Sequence, residues 1–324
     1  METIGNRAIG KDVQVRIEKL YQPWTLSCVV EVSILHPRTN SAKAVLKLYD
    51  WRYAAQLRKD NKIDPWTNEH EKAYISFVRS GQAKDFLDKL RNDEEFEEPE
   101  EGWNISENET YLYNICTDMF RAETAVYKKL YAYQGKQIPR LIAPITLSIE
   151  PLNKQSSDHH DIAWTEPSGS DSVSPDTDQV DTKAPEPELL KINGILIELI
   201  EGFTLAGLNQ HNAAKSSWQS IVDQAIQIVN LLSDNAILNE DVRASNILVS
   251  PKSNGEYRVC MIDFAQCRFR EKNESDLEWG RAKWSQDEEG AVGLVMKRRL
   301  AKQGFKLKYE SSMRYLEWAE GEGS

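Results

Sequence analysis

A short predicted hairpin constrains the fold of this chain more than any other feature. Asn254 and Gly255 separate two apolar runs, and glycine accepts the positive φ of a tight turn. A chain that goes out and comes back brings Asn246 and Asp263 to the same end, with Asp241 on the loop just before it. Two carboxylates and an amide at one strand end are suited to hold a divalent cation and to position a hydroxyl. The three residues together favour such a site over the alternative that Asp and Asn merely bound the strands.

The charge balance of the chain excludes several classes of partner. Its 324 residues include 51 acidic and 40 basic ones, so the net charge is −11. An acidic protein has no sequence-independent attraction to phosphate backbones, so we expect no nucleic-acid and no membrane partner. The four cysteines are widely spaced, which disfavours a zinc site or a disulfide framework and favours a reducing compartment. There is no apolar signal core and no run as long as a membrane span. We therefore expect the cytoplasm, with the nucleus as the alternative.

Apolar periodicity divides the chain into predicted strands and helices and two further segments, an insertion and a linker. Strands are predicted as a pair within 12–35 and singly at 43–50, 138–149 and 192–200, and helices at 118–134 and 219–235. The segment 52–117 is predicted to be a helical insertion that leads through the acidic run 93–101, which we expect to be solvated and mobile. The segment 150–188 is rich in Ser, Asp, Pro and Thr, and this composition predicts a disordered linker.

Two charged residues fall within apolar patterns. Lys47 shares its strand face with Val45 and Tyr49, because strand side chains alternate with period two. Glu123 shares a helix face with apolar residues three, four and seven positions further on. A carboxylate buried alone is costly and calls for a cation partner, for which Lys47 is suited. Pairing of Glu123 with Arg121, or exposure of both charges to solvent, remains the alternative.

The order of these motifs resembles the protein-kinase-like superfamily, including its aminoglycoside and choline phosphotransferase branch. More closely, it is similar to a family of fungal kinase-like proteins. The resemblance covers roughly residues 12–295 and implies an α+β, two-lobed fold. It implies a small β-rich N-lobe with a helix over 1–200, which contains the insertion 52–117 and the linker 150–188. A compact, mainly helical C-lobe would follow over 201–324.

The resemblance also implies a role for each motif residue. Lys47 would hold the α- and β-phosphates of ATP, and Glu123 would pair with that lysine. Asp241 would accept or orient the proton of the attacking hydroxyl, while Asn246 and Asp263 would hold Mg²⁺ across the phosphates. The hinge backbone that would meet adenine lies at Glu198, Ile200 and Gly202.

Three departures from the family pattern bear on activity. No glycine falls between residues 11 and 80, so the segment 21–27 takes the place of the Gly-rich phosphate loop and would hold nucleotide more loosely or not at all. The two residues before the catalytic-loop aspartate are Asn239 and Glu240, where the family usually has histidine and then arginine or glycine. Asn239 would substitute for the histidine contact by hydrogen bonding. Ala265 replaces a glycine, which is tolerable unless positive φ is required there.

These observations favour an ATP-dependent phosphotransferase that uses Mg²⁺ and a hydroxyl acceptor. A small-molecule acceptor is favoured over a protein, because few residues follow Asp263 and none of them forms an Ala-Pro-Glu anchor. The alternative is a pseudokinase, a nucleotide-binding or interaction module without transfer activity. Metal-dependent phosphate-ester hydrolysis is a weaker third possibility. The segment 287–290 is predicted to be an exposed acidic helix start rather than a support for the catalytic loop. The acceptor and the oligomeric state stay open.

Overall fold

The computed structural model describes residues 12–35, 42–149, 162–163 and 188–318. Nearly all of the predicted linker 150–188 lies outside these residues. The fold is α+β and divides into two compact units. The first unit comprises Met1–Phe120 and Ile142–Ile197, and the second comprises Arg121–Leu141 and Glu198–Ser324. Within the described residues, no helix has the length and apolar character needed to cross a membrane.

The elements follow the predicted order along the chain. The strands are β1 (Asp12–Val13), β2 (Val15–Leu20), β3 (Cys28–Ile34), β4 (Ala42–Leu48), β5 (Leu141–Ser148), β6 (Ile162–Ala163), β7 (Lys191–Glu198), β8 (Phe203–Thr204), β9 (Ile237–Asn239), β10 (Ile247–Pro251), β11 (Tyr257–Met261) and β12 (Cys267–Phe269). The α-helices are α1 (Ala55–Asp60), α2 (Asn68–Arg79), α3 (Gln82–Asn92), α4 (Ile105–Lys129), α5 (Trp218–Asp234), α6 (Asp276–Gln286) and α7 (Glu288–Ala301). Short 3₁₀ turns lie at Tyr131–Tyr133, Glu188–Leu190, Leu205–Gly207, Lys215–Ser217, Ala244–Asn246 and Leu316–Trp318.

The first unit contains a sheet with the strand order β1-β6-β5-β7-β4-β3-β2. Strands β2, β3 and β4 pair antiparallel, and Val29 lies opposite Lys47. One sheet face carries a core cluster that includes Ala44 and Leu46. Because side chains alternate along a strand, Lys47 lies on the other face together with Tyr49. The predicted placement of Lys47 and Tyr49 on one face is confirmed.

The insertion folds as helices α1, α2 and α3 and the first part of α4. The predicted helix at 118–134 begins earlier, at Ile105. Asn104 and Glu107 explain the difference, because each backbone N–H donates to the other's side chain, at 2.9 and 3.1 Å. This exchange is a capping box, which satisfies N–H groups that the first helical turn leaves unpaired. The acidic run 93–101 is exposed apart from Phe96.

The second unit is built around the apolar helix α5 and the hairpin of β10 and β11. The predicted hairpin is confirmed, with Ile247 opposite Met261 and Gly255 at φ 83° in the turn. Strand β8 pairs antiparallel with β10. Gly202 directly precedes β8, and a Cβ on Gly202 would lie 2.1 Å from the carbonyl oxygen of Val249. Only glycine allows the backbone to approach so closely.

Candidate functional site

The open end of the hairpin carries two of the predicted site residues. Asn246 directly precedes β10, and Asp263 follows β11 by two residues. The N–H of Ile262 donates to the carbonyl oxygen of Asn246 at 2.9 Å, so the ladder continues by one bond beyond the strands. Asn246 and Asp263 therefore flank the same end, as predicted. The amide of Asn246 is almost fully buried.

Asp241 lies on the loop that leads into this end and is tied to it through Asn246. The Nδ2 of Asn246 donates to the Asp241 carbonyl oxygen at 3.1 Å and to its carboxylate Oδ2 at 2.9 Å. The guanidinium of Arg243 lies 2.8 Å from the same carboxylate oxygen and is about half exposed. The structure thus brings Asp241 and Asn246 into direct contact. It also adds Arg243, which the motif analysis overlooked although it stands two positions after Asp241.

Asp263 adopts a backbone conformation that side-chain-bearing residues rarely take. Its φ is 68°, in the left-handed region. The next residue, Phe264, is fully buried, and its ring meets that of Tyr127 edge-on with 5.6 Å between centroids. Ala265 is not among the described residues with positive φ, so alanine is tolerated where the family has glycine. Asp263 itself is half-buried, and Phe264 anchors the chain in the core.

Glu123 lies on the buried face of α4. It is fully buried, as are Val126, Tyr127 and Leu130, so the predicted apolar face is confirmed. Burial raises the pKa of the Tyr127 hydroxyl well above its ordinary value, and the negative charges of Glu123 and Asp263 raise it further. Both carboxylates therefore act on the same phenol.

The buried ion pair of Lys283 and Glu288 supports the loop that carries Asp241. Glu288 Oε1 accepts the backbone N–H of Asn239 at 2.8 Å, and Asn239 Oδ1 accepts the N–H of Asp241 at 2.9 Å. Lys283 forms an ion pair with Glu288 and donates to the carbonyl oxygen of Ile237 at 3.1 Å. Asn239 thus forms hydrogen bonds, but the one that its side-chain oxygen accepts comes from Asp241, so its expected replacement of the histidine contact to the metal-binding aspartate stays a prediction.

The prediction that 287–290 forms an exposed helix start is wrong for Glu288, which is buried. Asp287 has φ 43°, a left-handed turn between α6 and α7, and its carboxylate caps α7 by accepting the N–H of Gly290 at 3.0 Å. The turn directs Glu288 inward to Lys283. Burial lowers the pKa of Lys283 and raises that of Glu288, and in each case the partner's charge opposes the shift.

Lys47 belongs to the first unit, where its side chain is buried on β4. Its ammonium lies 5.3 Å from the ring centroid of Tyr49, a cation–π contact. Tyr49 in turn meets Phe120 edge-on at 5.9 Å. Lys47 therefore lies in the environment that the sequence predicted, a charge on an apolar face of the sheet.

The segment 21–27, predicted to take the place of a Gly-rich loop, is held by hydrogen bonds to Val29 and Gln56. The N–H of Tyr21 donates to the carbonyl oxygen of Val29 at 3.0 Å, and the indole of Trp24 donates to the same oxygen at 3.4 Å. The N–H of Gln56, in α1, donates to the carbonyl oxygen of Thr25 at 3.1 Å. The insertion therefore holds this loop at its middle, and these backbone groups are already engaged.

The segment predicted to be a hinge begins where β7 ends. The N–H of Glu198 donates to the carbonyl oxygen of Arg140 at 2.9 Å, and its carboxylate pairs with Arg258 at 2.9 Å. Burial alone would raise the pKa of Glu198, but the bonds from Arg258 and Arg140 outweigh it and lower that pKa. Ile200 is half-buried and Gly202 is exposed. Glu198 is therefore occupied, both in its backbone N–H and in its side chain.

Comparison with known proteins adds no assignment: neither the scan against family models nor the search of curated proteins finds a match. Among the described residues, no group of three or more His, Cys, Asp or Glu side chains could hold a metal ion. The predicted magnesium ligands are one aspartate and one asparagine, a combination that lies outside that class of site.

Proposed function

We propose that this protein is an ATP-dependent phosphotransferase with a two-lobed, kinase-like arrangement, and that it uses Mg²⁺ to transfer a γ-phosphoryl group to a hydroxyl. The observation that carries the proposal is the hairpin end, where Asp241 and Asn246 are hydrogen-bonded on one supported loop and Asp263 follows the strand paired with β10. Phosphoryl transfer needs mainly positioning and charge neutralisation, which these three side chains are suited to supply.

The hydrogen bonds assign separate tasks to the three residues. Asn246 donates through Nδ2 to Asp241. The amide oxygen Oδ1 of Asn246 is therefore the atom that would face a cation. Asp241 would accept or orient the proton of the attacking hydroxyl. Asp263 would be the charged magnesium ligand. Its left-handed backbone supports this role, because residues held in such conformations cluster at functional sites.

Arg243 supplies a cation next to the proton acceptor. Its guanidinium lies 2.8 Å from Asp241 and is still about half exposed, so it could also reach a transferred phosphoryl group. A guanidinium that meets the charge developing on the phosphoryl oxygens is a recurring part of phosphoryl-transfer sites. We assign this role to Arg243 within the proposal.

The remaining assignments rest on the resemblance of the motifs. Lys47 would hold the α- and β-phosphates, and Glu123 would pair with it. Because the N–H of Glu198 is already bonded, adenine would be met by the backbone at Ile200 and Gly202. The short course of the chain from Asp263 to the start of α6 favours a small-molecule acceptor, since it offers little surface for a protein substrate.

A pseudokinase is the second candidate, and the closed segment 21–27 favours it. The N–H of Tyr21 is already bonded to the carbonyl oxygen of Val29, and the carbonyl oxygen of Thr25 accepts the N–H of Gln56. The segment therefore cannot rearrange around phosphates without breaking these bonds. Such a protein would bind nucleotide weakly or not at all and would act through its surfaces.

Turnover of Mg-ATP distinguishes these candidates. We expect slow ATP hydrolysis or transfer to a hydroxyl compound, with a loss of about 10²–10⁴-fold on Asp241→Asn and a comparable loss on Asp263→Ala. Asp85→Ala, which removes an exposed carboxylate in α3, is the matched control and should leave the rate unchanged. Nucleotide binding without any turnover would support the pseudokinase. Phosphate release from esters in the absence of nucleotide would point to hydrolysis instead.

A further inference from the structure

The end of α7 and the segment after it form a strongly basic surface on an otherwise acidic protein. Between Gly290 and Tyr309 the chain has no acidic residue, although its net charge is −11. The basic residues in this stretch are Lys297, Arg298, Arg299, Lys302, Lys306 and Lys308, and all six are exposed. We call these six residues the basic face.

This surface is held in a fixed shape. After α7 the chain turns at Gly304, which has φ 71°, and runs back along α5. Gln219 exchanges two hydrogen bonds with the backbone of Lys308, each 2.9 Å long. Phe305 meets Trp218 edge-on at 5.3 Å. These contacts fix the backbone that carries the cations, so little conformational entropy of the backbone would be lost on binding.

The cations of the basic face are not neutralised locally. Lys297 donates to the carbonyl oxygen of Tyr309 and Arg299 to that of Ala206, both at 2.8 Å. Within the described part of the chain, none of the six forms an ion pair. The helix dipole favours cations in the last turn of α7, but it does not account for Lys306 and Lys308, which lie beyond the helix end.

A segment of opposite charge lies between α3 and α4. Its acidic residues are Asp93, Glu94, Glu95, Glu97, Glu98, Glu100 and Glu101, and all are exposed. Over the residues that the structure covers, these seven carboxylates also form no ion pair. Phe96 fixes the segment by packing edge-on against Phe86 at 5.7 Å. We call residues 93–101 the acidic loop.

We propose that the basic face binds the acidic loop of a second copy of this chain. In a dimer with two-fold symmetry the contact occurs twice, because each copy offers both surfaces. A membrane surface or a nucleic acid is a poorer partner, because such an extended polyanion would also meet the acidic remainder of the surface. A short acidic segment meets the basic face alone, and charge beyond about 8 Å is screened at physiological ionic strength. The association is therefore specific and weakened by salt.

Charge reversal on either surface tests the proposal by sedimentation velocity at about 50 mM and about 500 mM salt. We expect the unmodified protein to dimerise at low salt and to dissociate at high salt. The base-reversed variant Lys302→Glu/Lys306→Glu/Lys308→Glu should dimerise at least tenfold more weakly. The acid-reversed variant Glu97→Lys/Glu98→Lys/Glu100→Lys should weaken to a similar degree.

Mixing the two variants provides the decisive result. In each homodimer both contacts lose their attraction, because the substitutions change the charge of the basic face from +6 to 0 or that of the acidic loop from −7 to −1. In the mixed dimer one contact joins the two unmodified surfaces, and in the other contact the substituted positions again carry opposite charges. We therefore expect the equimolar mixture to regain low-salt dimers. The control Lys59→Glu/Lys72→Glu/Lys129→Glu changes the net charge by the same amount at scattered exposed positions and should dimerise normally.

Three outcomes would overturn the proposal. The unmodified protein could remain monomeric at low salt, or the reversed variants could dimerise as tightly as the control. The mixture could also fail to associate. Retention of the unmodified monomer on anionic vesicles or heparin, lost in the base-reversed variant, would assign the basic face to a different anion.

Discussion

Two buried ion pairs, one in each unit, look alike in isolation but differ in what they hold. Arg58 and Glu109 meet at 2.6 Å in the first unit, and Lys283 pairs with Glu288 in the second. In both pairs each side chain is at most 3% exposed. Removing such charges from water is costly, and a buried pair is by itself weak evidence of stability. Their neighbours decide what each pair does.

The first pair binds the insertion together. Glu109 accepts the indole N–H of Trp51 at 3.0 Å, and Arg58 donates to the carbonyl oxygens of Trp51 and Asp64 at 3.2 and 2.8 Å. All of these groups lie in the insertion or at its start. The pair therefore fixes α1 and α4 to the chain that leaves β4, and we expect its loss to act on stability.

The second pair binds the backbone just before Asp241. Lys283 holds the carbonyl oxygen of Ile237, and Glu288 holds the N–H of Asn239. The side chain of Asn239 in turn accepts the N–H of Asp241, so the pair also helps to position Asp241. The two pairs are equally buried, so burial does not show whether a pair stabilises the fold or positions a site residue. The backbone groups to which each pair is hydrogen-bonded do show it.

The largest effect is expected from Glu109→Leu, which leaves Arg58 buried without its partner. The free energy of unfolding should fall by about 3–5 kcal/mol, as measured by urea denaturation. The double variant Arg58→Met/Glu109→Leu removes both charges and should recover most of this loss. A loss below about 1 kcal/mol for the single variant would contradict the assigned structural role.

Glu288→Ala should act on turnover as well as on stability. With the acceptor for the Asn239 N–H gone, we expect kcat to fall by about 10–100-fold, the range typical of supporting residues, while KM for Mg-ATP changes little. Glu288→Gln should recover part of kcat because its amide oxygen still accepts that N–H. The adjacent half-buried carboxylate serves as control in Glu289→Ala. Equal kcat for Glu288→Ala and Glu289→Ala would remove the distinction between the two pairs.

The smallest effect is expected from the pair of Glu198 and Arg258, which is less buried than the other two pairs. The pKa of Glu198 is lowered in the folded state, so the pair stabilises the fold above the ordinary value of 4.5. This stabilisation is lost as pH falls through the depressed pKa. Arg258→Met should therefore cost about 1 kcal/mol or less at neutral pH, and the difference should vanish in acid. A difference that is constant with pH would exclude this origin.

Local patterns predicted the elements that local forces determine. The Asn254–Gly255 turn needs only the conformational freedom of glycine, and the apolar face of Glu123 needs only helical periodicity. Both are confirmed. The start of α4 was missed although Asn104 and Glu107 form a recognisable capping box, because the acidic run before it suggested a solvated segment.

The parts that sequence reasoning missed depend on tertiary contacts. Glu288 stands in an acidic helix start, which is normally exposed, and only the left-handed turn at Asp287 and the cation of Lys283 make its burial possible. Arg243 stands near Asp241 in the sequence, but a two-residue spacing does not by itself predict an ion pair on a loop. Periodicity carries no information about such contacts.

The most direct test of the proposed function is calorimetric titration of the protein with Mg-ATP. We predict saturable binding that Asp263→Ala and Lys47→Ala each weaken at least tenfold, while Asp85→Ala binds like the unmodified protein. This result would tie nucleotide binding to the hairpin end and to the buried lysine. The absence of binding by the unmodified protein, or equal affinity in Asp263→Ala, would contradict the account.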